Sequence, residues 1–393
     1  MKTIWGVDVV KKAPLLMAVG IIIWSLLAMV NPALGAPHVG AKAWVLYDLK
    51  SGQFLDGNNQ REARPPASTT KIMTAIIALE YLELDEQAQV SQIAASTPAT
   101  AIGVRAGQEM QVRDLIAAAL LVSANDATVV LAERVAGSEP LFCYLMNKKA
   151  FVLGAFDTSF MNSNGLPADG HLSSCHDLFL ISRYALQNQT FATTVALPST
   201  VINHPGYPQG KQINNTNRML TFYPGAKGIK TGTTNAAGQC LVTLAKREGR
   251  QLVSVVLKSG NRYGDSASIL DYGFGSFTHS NLVSQKETFK RIKVEGGEWP
   301  EAEVYPERDV RAWIPEEGMI YLEKRVSLTY RPEAPIRAAD KIGTLEVYYK
   351  GELVDIVGLT VKTTIEKRPQ GIWRLIKKPK IVNDANSFEV DPA

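Results

Sequence analysis

Strand-like segments stand at both ends of the first 260 residues of this chain, and a long helical middle separates them. Residues 43–47, a Ser51-Gly52 turn and residues 53–55 read as a hairpin, antiparallel because its connection is short. Further on, residues 227–233, 239–245 and 251–257 read as three strands, the last two joined by a turn at Arg247-Glu248-Gly249-Arg250. A meander of this kind makes a mostly antiparallel sheet. In the middle, residues 70–82, 112–122 and 127–135 carry apolar side chains at helical spacing. The stretch 112–122 is apolar on almost every side, as a buried helix is. The expected fold class is therefore α/β (α+β), an antiparallel sheet flanked by helices.

The style changes past Ser284. Gly296-Gly297, several prolines and alternating runs appear, such as Leu345, Val347 and Tyr349 before a Lys350-Gly351 turn. Alternation of that kind marks a half-buried strand, and no convincing helix interrupts residues 284–365. A C-terminal all-β domain is expected there.

At the N-terminus, Lys2, Lys11 and Lys12 precede an apolar run over residues 13–30, followed by Asn31-Pro32 and Ala33-Leu34-Gly35-Ala36. This is the pattern of an export signal, cleaved best after Gly35 because a cut after Ala36 would leave Pro37 beyond the scissile bond. The competing reading is a retained anchor, since an apolar run of this length nearly spans a bilayer. The expected layout is a signal over 1–35, a main domain over 36–283, the all-β domain over 284–365 and a basic tail over 366–393. In that tail Ile372, Trp373, Leu375 and Ile376 lie among basic residues, which suits an anionic membrane surface or, equally, a solvated tail.

A net charge of +4 and the lack of a long basic run in the body of the chain argue against nucleic acid as a partner. The three cysteines, Cys143, Cys175 and Cys240, cannot form a disulfide framework, since at least one is left over. His171, Cys175 and His176 are close in sequence. Without an H-e-x-x-H or paired C-x-x-C pattern they do not make a metal site, and neither metal nor cofactor is expected.

Three motifs carry the chemistry: Ser68-Thr69-Thr70-Lys71, Ser123-Ala124-Asn125 and Lys230-Thr231-Gly232. Pro65-Pro66 halts extended structure before Ser68, so the serine stands at a helix start with Lys71 one turn on, on the same face. Each motif also has a plain structural reading, Ser68 as a helix cap and Lys-Thr-Gly as a turn. Taken together they equip a chain for acyl transfer through a serine ester. A serine needs a base, and with no histidine near these motifs Lys71 is the candidate, its ammonium destabilised by enclosure and by Lys230. Ser123 can carry a proton towards the leaving amine, and the Asn125 amide can donate to and accept from a peptide. Lys230 and Thr231 suit a terminal carboxylate, and Gly232 lets a substrate backbone approach the strand edge. The backbone N–H groups of Ser68 and Thr233 would form the oxyanion hole. Ser259-Gly260-Asn261 repeats the S-x-N pattern after a strand and reads as a decoy.

The motif set resembles the active-site signature of penicillin-binding proteins and class A β-lactamases. Asn164-Gly165-Leu166-Pro167, the segment from Gly170 to Asp177, residues 224–232, Ala237-Gly238-Gln239-Cys240 and Arg262-Tyr263-Gly264-Asp265 look like those of low-molecular-mass penicillin-binding proteins, the serine D-alanyl-D-alanine carboxypeptidases. The resemblance is dense over residues 40 to 275. It departs in having Ala124 where family members often carry Gly, and in a shorter, proline-broken tail. It implies release of the terminal D-Ala from peptidoglycan pentapeptide stems through an acyl-enzyme on Ser68, with β-lactams acylating the same serine. It also implies a place outside the cytoplasm, in a periplasm or on the outer face of the cytoplasmic membrane. A DD-endopeptidase would share every catalytic residue. A β-lactamase lacks support in the absence of an acidic residue in a recognisable deacylation setting, and a non-catalytic penicillin-binding sensor or scaffold need not keep both amines.

Overall fold

A computed structural model of the chain describes residues 36–328 and 332–369. The segment read as an export signal, 1–35, and the apolar residues of the tail at 372–376 lie outside the described residues. The chain divides into two compact units between Phe277 and Thr278.

In the first unit, strands β1 (Ala43–Asp48) and β2 (Phe54–Asn58) form the expected hairpin. The helical middle follows: α1 (Lys71–Tyr81), α2 (Val112–Leu121), α3 (Asn125–Ala136), α4 (Glu139–Val152) and α5 (Cys175–Ala185). The meander is β3 (Ala226–Thr234), β4 (Gly238–Arg247) and β5 (Arg250–Ser259), and α6 (Arg262–Ser276) closes the unit. The sheet order is β2-β1-β5-β4-β3, so the opening hairpin docks beside the last strand of the meander. Every pairing is antiparallel. The meander's first strand, β3, becomes an edge.

Strand β1 shows why both faces of this sheet are covered. All six of its residues are buried, and alternate side chains serve opposite layers. Tyr47 stacks on Phe179 of α5 with ring centroids 3.8 Å apart. Leu46 points the other way, to α6, where a Cβ added at Gly273 would lie 2.6 Å from it. On the α5 side, α1 packs against α2, α3 and α5. Residues 71–78 are buried on every side, so α1 is the axis of the helical layer. Helix α3 stops at Gly137, which takes φ 77° and returns its N–H to the Glu133 carbonyl.

The second unit is β-rich, with strands β6 (Phe277–Val283), β7 (Lys290–Lys293), β8 (Glu301–Pro306), β9 (Val310–Pro315), β10 (Leu322–Leu328), β11 (Lys341–Tyr349) and β12 (Glu352–Val361). Five of them form a sheet in the order β7-β8-β12-β11-β10, and β6 pairs with β9. Leu345, Val347 and Tyr349 are fully buried, the inward set of an alternating strand. Pairing continues to the edge of the basic tail, where the Arg368 N–H meets the Gly296 carbonyl at 2.8 Å.

Candidate active site

Ser68 sits in a single 3-10 turn, Ala67–Thr70, that runs straight into α1. Its hydroxyl caps nothing: neither the turn nor α1 has a side-chain cap. The turn is held instead by its neighbours, with Thr69 Oγ1 donating to the Pro66 carbonyl and Thr70 Oγ1 donating to that of Ala67, both at 2.8 Å. The helix-cap reading of Ser68 thus fails.

One turn on, Lys71 is wholly buried, and its Nζ lies 3.0 Å from Ser68 Oγ. Two further oxygens complete its shell, Asn125 Oδ1 at 2.7 Å and the Asn164 carbonyl at 2.6 Å. Both are amide oxygens that can only accept, so they claim two N–H groups whatever the charge on the amine. In the neutral amine the remaining position is the lone pair, and it faces Ser68. Burial and then the neighbouring Lys230 hold the Lys71 ammonium well below its ordinary range, against the opposing pull of Asp126.

Ser123 lies in the connection between α2 and α3, and Asn125 is the first residue of α3. Ser123 takes φ 67°, a left-handed conformation that costs a non-glycine residue about 1 kcal/mol or more. Its Oγ is buried without a hydrogen-bond partner among the described residues. The Asn125 amide is fixed at both ends, Oδ1 on Lys71 and Nδ2 donating to the Pro98 carbonyl at 2.9 Å. One N–H of Nδ2 and the second lone pair of Oδ1 remain for a substrate. Asp126, the next residue, receives the N–H groups of Ile102, Gly103 and Val104.

On the facing edge strand β3, Lys230 is wholly buried, with Nζ donating to the Thr231 carbonyl at 3.2 Å. Burial, with Arg262 adding to it, lowers its ammonium to about 7. Gly232 allows a close approach of a kind the sequence did not indicate. A Cβ there would lie 3.0 Å from both the Pro66 carbonyl and the Ser68 amide, so the missing side chain makes room for the turn that carries Ser68. Gly165 does the same from the opposite side: at φ 87°, a Cβ would fall 2.0 Å from the Ala67 carbonyl oxygen. The Ser68 turn is thus approached closely by two glycines.

Four contributors escaped the sequence reading. The Asn164 carbonyl carries no side-chain signature. Arg262 donates from Nη1 to the Gly232 carbonyl and to Thr233 Oγ1, each at 2.8 Å, pinning the end of β3. Thr216 Oγ1 meets Thr231 Oγ1 at 2.7 Å. A histidine does stand near the motifs in space: His171 Nε2 lies 2.8 Å from Thr70 Oγ1, and its Nδ1 accepts the Met161 N–H at 3.0 Å. That acceptance fixes the proton on Nε2, so a chain runs from Met161 through His171 and Thr70 to the carbonyl of Ala67. Burial, then the nearby Lys71, lowers the imidazole to about 4.

The other patterns have structural uses. Ser259 Oγ donates to Asp265 and Asn261 caps α6 through the Gly264 N–H, which accounts for the second S-x-N. His176 Nδ1 lies 2.5 Å from the Tyr47 hydroxyl, and no cluster of three or more metal-ligating side chains is found among the described residues. All three cysteines are buried and unpaired.

A family model described as D-alanyl-D-alanine carboxypeptidase matches residues 31–261, and one described as penicillin-binding protein 5, C-terminal domain, matches residues 277–367. The chain is 30% identical over 354 residues to the D-alanyl-D-alanine carboxypeptidase DacF of Bacillus subtilis, covering 86% of this chain and 91% of that one. Among solved structures, the D-alanyl-D-alanine carboxypeptidase DacD from Francisella tularensis superposes with a TM-score of 0.67 at 26% identity, over 87% of this chain and 98% of that one. Penicillin-binding protein D2 from Listeria monocytogenes, in its cefotaxime-bound form, superposes with a TM-score of 0.55 at 30% identity, over 61% of this chain and all of that one.

Proposed function

The chain belongs to the D-alanyl-D-alanine carboxypeptidase family, peptidase S11, and we propose that it releases the terminal D-Ala of peptidoglycan pentapeptide stems through an ester on Ser68. The observation that carries this reading is the Lys71 amine, held by two acceptor oxygens with its third position on the Ser68 hydroxyl.

In the proposed first step Lys71 takes the Ser68 proton as Oγ attacks the carbonyl of the penultimate D-Ala. General bases so placed contribute about 10²–10⁴ in rate. The N–H groups of Ser68 and Thr233 receive the oxyanion, each such donor being worth about 10²–10³. The C–N bond then breaks, and the Lys71 ammonium returns its proton to the departing D-Ala nitrogen by way of the Ser123 hydroxyl. That role fits a buried hydroxyl with no internal partner. Lys230 and Thr231 hold the carboxylate of the leaving residue, and the free N–H of Asn125 holds the peptide. Water then cleaves the ester and restores Ser68. A β-lactam would acylate the same oxygen. No carboxylate is hydrogen-bonded to Ser68 or Lys71 among the described residues, so nothing there resembles a dedicated base for rapid lactam turnover.

The exported location and the affinity of the tail for anionic membrane belong to the same proposal. Among the described residues no helix is long and apolar enough to cross a membrane. Export is supported by the signal pattern of residues 1–35, and the tail by Trp373 among basic residues. If the tail binds, full-length protein co-sediments with anionic vesicles and a form lacking 366–393 does not.

The deciding experiment is incubation with a pentapeptide ending in D-Ala-D-Ala and, separately, with cross-linked muropeptide dimers, read by mass spectrometry. Loss of one alanine from the pentapeptide is expected. Conversion of dimers to monomers without alanine loss would replace this reading with an endopeptidase.

A further inference from the structure

A cleft of about 500 Å³ opens between two hairpins of the first unit, and none of the three motifs contributes to its lining. One wall is the hairpin that pairs Gln87–Gln89 with Glu109–Gln111. Gln87 and Gln111 are direct cross-strand partners, so their side chains stand on one face about 5 Å apart. Glu109, two residues from Gln111, shares that face, while Ala88 and Met110 are buried on the other. All three polar side chains line the cleft, and none has a hydrogen bond or ion pair among the described residues.

The second wall comes from the hairpin that pairs Ser199–His204 with Tyr207–Asn214. It presents Tyr207, half exposed, between Pro205 and Pro208. The Tyr207 ring meets that of the buried His204 edge to face, with centroids 5.1 Å apart. His204 is itself fixed, because its Nδ1 accepts the Gly206 N–H at 3.0 Å. No lysine or arginine lines the cleft, and Lys211 of this hairpin is committed to the Ile102 carbonyl and to the Tyr207 ring.

This lining selects a class of ligand. An anion would meet the unpaired Glu109 carboxylate and no free cation. An apolar ligand would cover two amides and leave their donors and acceptors unsatisfied. A neutral sugar satisfies every group: the carboxylate accepts from hydroxyls, and the Tyr207 ring offers apolar surface to the C–H face of a pyranose. An acetamido group is matched best of all, because its N–H and C=O pair with a glutamine amide through two bonds at once. The volume lies within the range of about 300–1,000 Å³ usual for small-molecule sites.

Short connections tie the cleft to the catalytic groups. Ile102, which accepts from Lys211, gives its N–H to Asp126, the neighbour of Asn125. Thr216, two residues past the second hairpin, meets Thr231. On the carboxypeptidase reading, on which the source of the ligand rests, the stem peptide at Ser68 hangs from a glycan of N-acetylated sugars.

We propose that this cleft is a saccharide site, which binds the N-acetylated glycan of peptidoglycan through Gln87, Gln111, Glu109 and Tyr207 and docks the enzyme on the polymer whose stem peptides it trims.

The test titrates the full chain with tetraacetylchitotetraose in a calorimeter, and separately with cellotetraose, which carries hydroxyls in place of the acetamido groups. The first should bind with a Kd of about 1 mM or tighter, and the second at least about fivefold more weakly. Tyr207→Ala and the double variant Gln87→Ala/Gln111→Ala should each weaken chitotetraose by about tenfold or more. Thermal melts and penicillin acylation rates should stay at wild-type values in both, which separates lost binding from lost structure. Both variants should release D-Ala from a free pentapeptide at the wild-type rate, and from intact peptidoglycan about threefold or more slowly, because docking raises the local concentration of stems. No binding of chitotetraose by the wild type at millimolar concentration, or undiminished binding by both variants, overturns the site. Equal affinity for cellotetraose overturns the acetamido recognition assigned to the glutamines. Failure to release D-Ala from the free pentapeptide overturns the carboxypeptidase reading instead, since the titration involves no catalysis.

Discussion

The Lys71 amine stands 3.0 Å from the Ser68 hydroxyl, while the carbonyl oxygens of Asn125 and Asn164 take its other two positions. A flexible side chain is thereby given one orientation. The direction of the amine, as much as its lowered proton affinity, suits it to act on one particular oxygen.

A labelled penicillin is therefore expected on Ser68 alone, located by peptide mapping. Ser68→Ala should abolish both labelling and D-Ala release. Label recovered on Ser123 or Ser259 would defeat the assignment.

Lys71→Ala should lower the acylation rate by about 10³ or more for penicillin and peptide alike. The variant also leaves Asn125 Oδ1 and the Asn164 carbonyl without their donor, at a cost of about 1–3 kcal/mol for each buried group left unpaired. Acylation kinetics should be read beside a thermal melt, so that lost structure is separated from lost chemistry. A folded Lys71→Ala protein that acylates at the wild-type rate at neutral pH would mean another base.

His171 supplies a prediction about stability. Its folded value of about 4 lies below its ordinary 6.5, so between these values the unfolded chain binds a proton that the folded chain does not. The stability this imidazole contributes is complete above pH 6.5 and is lost as pH falls towards 4, about 3 kcal/mol in all. His171→Gln, which can still accept from Met161 and donate to Thr70, should flatten that limb in denaturant titrations at pH 4 and 6.5. His171→Ala should flatten it too, but with lower stability throughout and slower acylation, because the Ala67 turn loses its support. An unchanged acid limb in both variants would show that the imidazole does not titrate there.

The sequence carried local relationships well and distant ones poorly. Ser68 and Lys71 are three residues apart on one helical face, and Ser123 and Asn125 stand where two readable apolar helices, α2 and α3, meet. The antiparallel meander was equally local. His171 reaches Thr70 across 101 positions and Arg262 reaches Gly232 across 30, so neither is implied by spacing. A backbone ligand such as the Asn164 carbonyl is invisible in principle, since every residue has one. The glycine of Lys-Thr-Gly was readable as a close approach, but its partner, the turn holding Ser68, appears only once β3 is folded against it.

The two glycines beside the Ser68 turn should therefore differ in how they fail. At Gly165 an alanine meets a backbone oxygen at 2.0 Å and a left-handed φ as well, so Gly165→Ala should destabilise the fold by several kcal/mol, about 3 or more. At Gly232 the approach is 3.0 Å, which a shift of a few tenths of an ångström relieves. Gly232→Ala should fold with a modest loss of stability yet acylate at least tenfold more slowly, because the relief displaces the Ser68 amide. Thermal melts and penicillin acylation rates measured on both variants check the split. A normal acylation rate in Gly232→Ala would show that the turn tolerates displacement.

The pH profile of kcat/KM tests the division of labour between the two lysines, because it reports groups of the free enzyme. Lys230 must be charged to hold a carboxylate, and its ammonium is lowered to about 7 by burial and by Arg262. As pH rises through 7 that charge is lost, so kcat/KM for a D-Ala-D-Ala peptide should fall about tenfold between pH 6 and pH 8. Lys71 acts in the opposite sense: it must be neutral to take the Ser68 proton, and acid returns the proton and forms the other limb. Lys230→Arg keeps a charge that does not titrate in this range, so the alkaline limb should leave the window while the acid limb stays. A peptide ending in D-Ala-D-Ala amide offers no carboxylate and should react slowly with no limb near 7 in the wild type. If Lys230→Arg kept the wild-type limb, or the amide peptide showed it, the limb would belong to another group and the carboxylate role of Lys230 would fall.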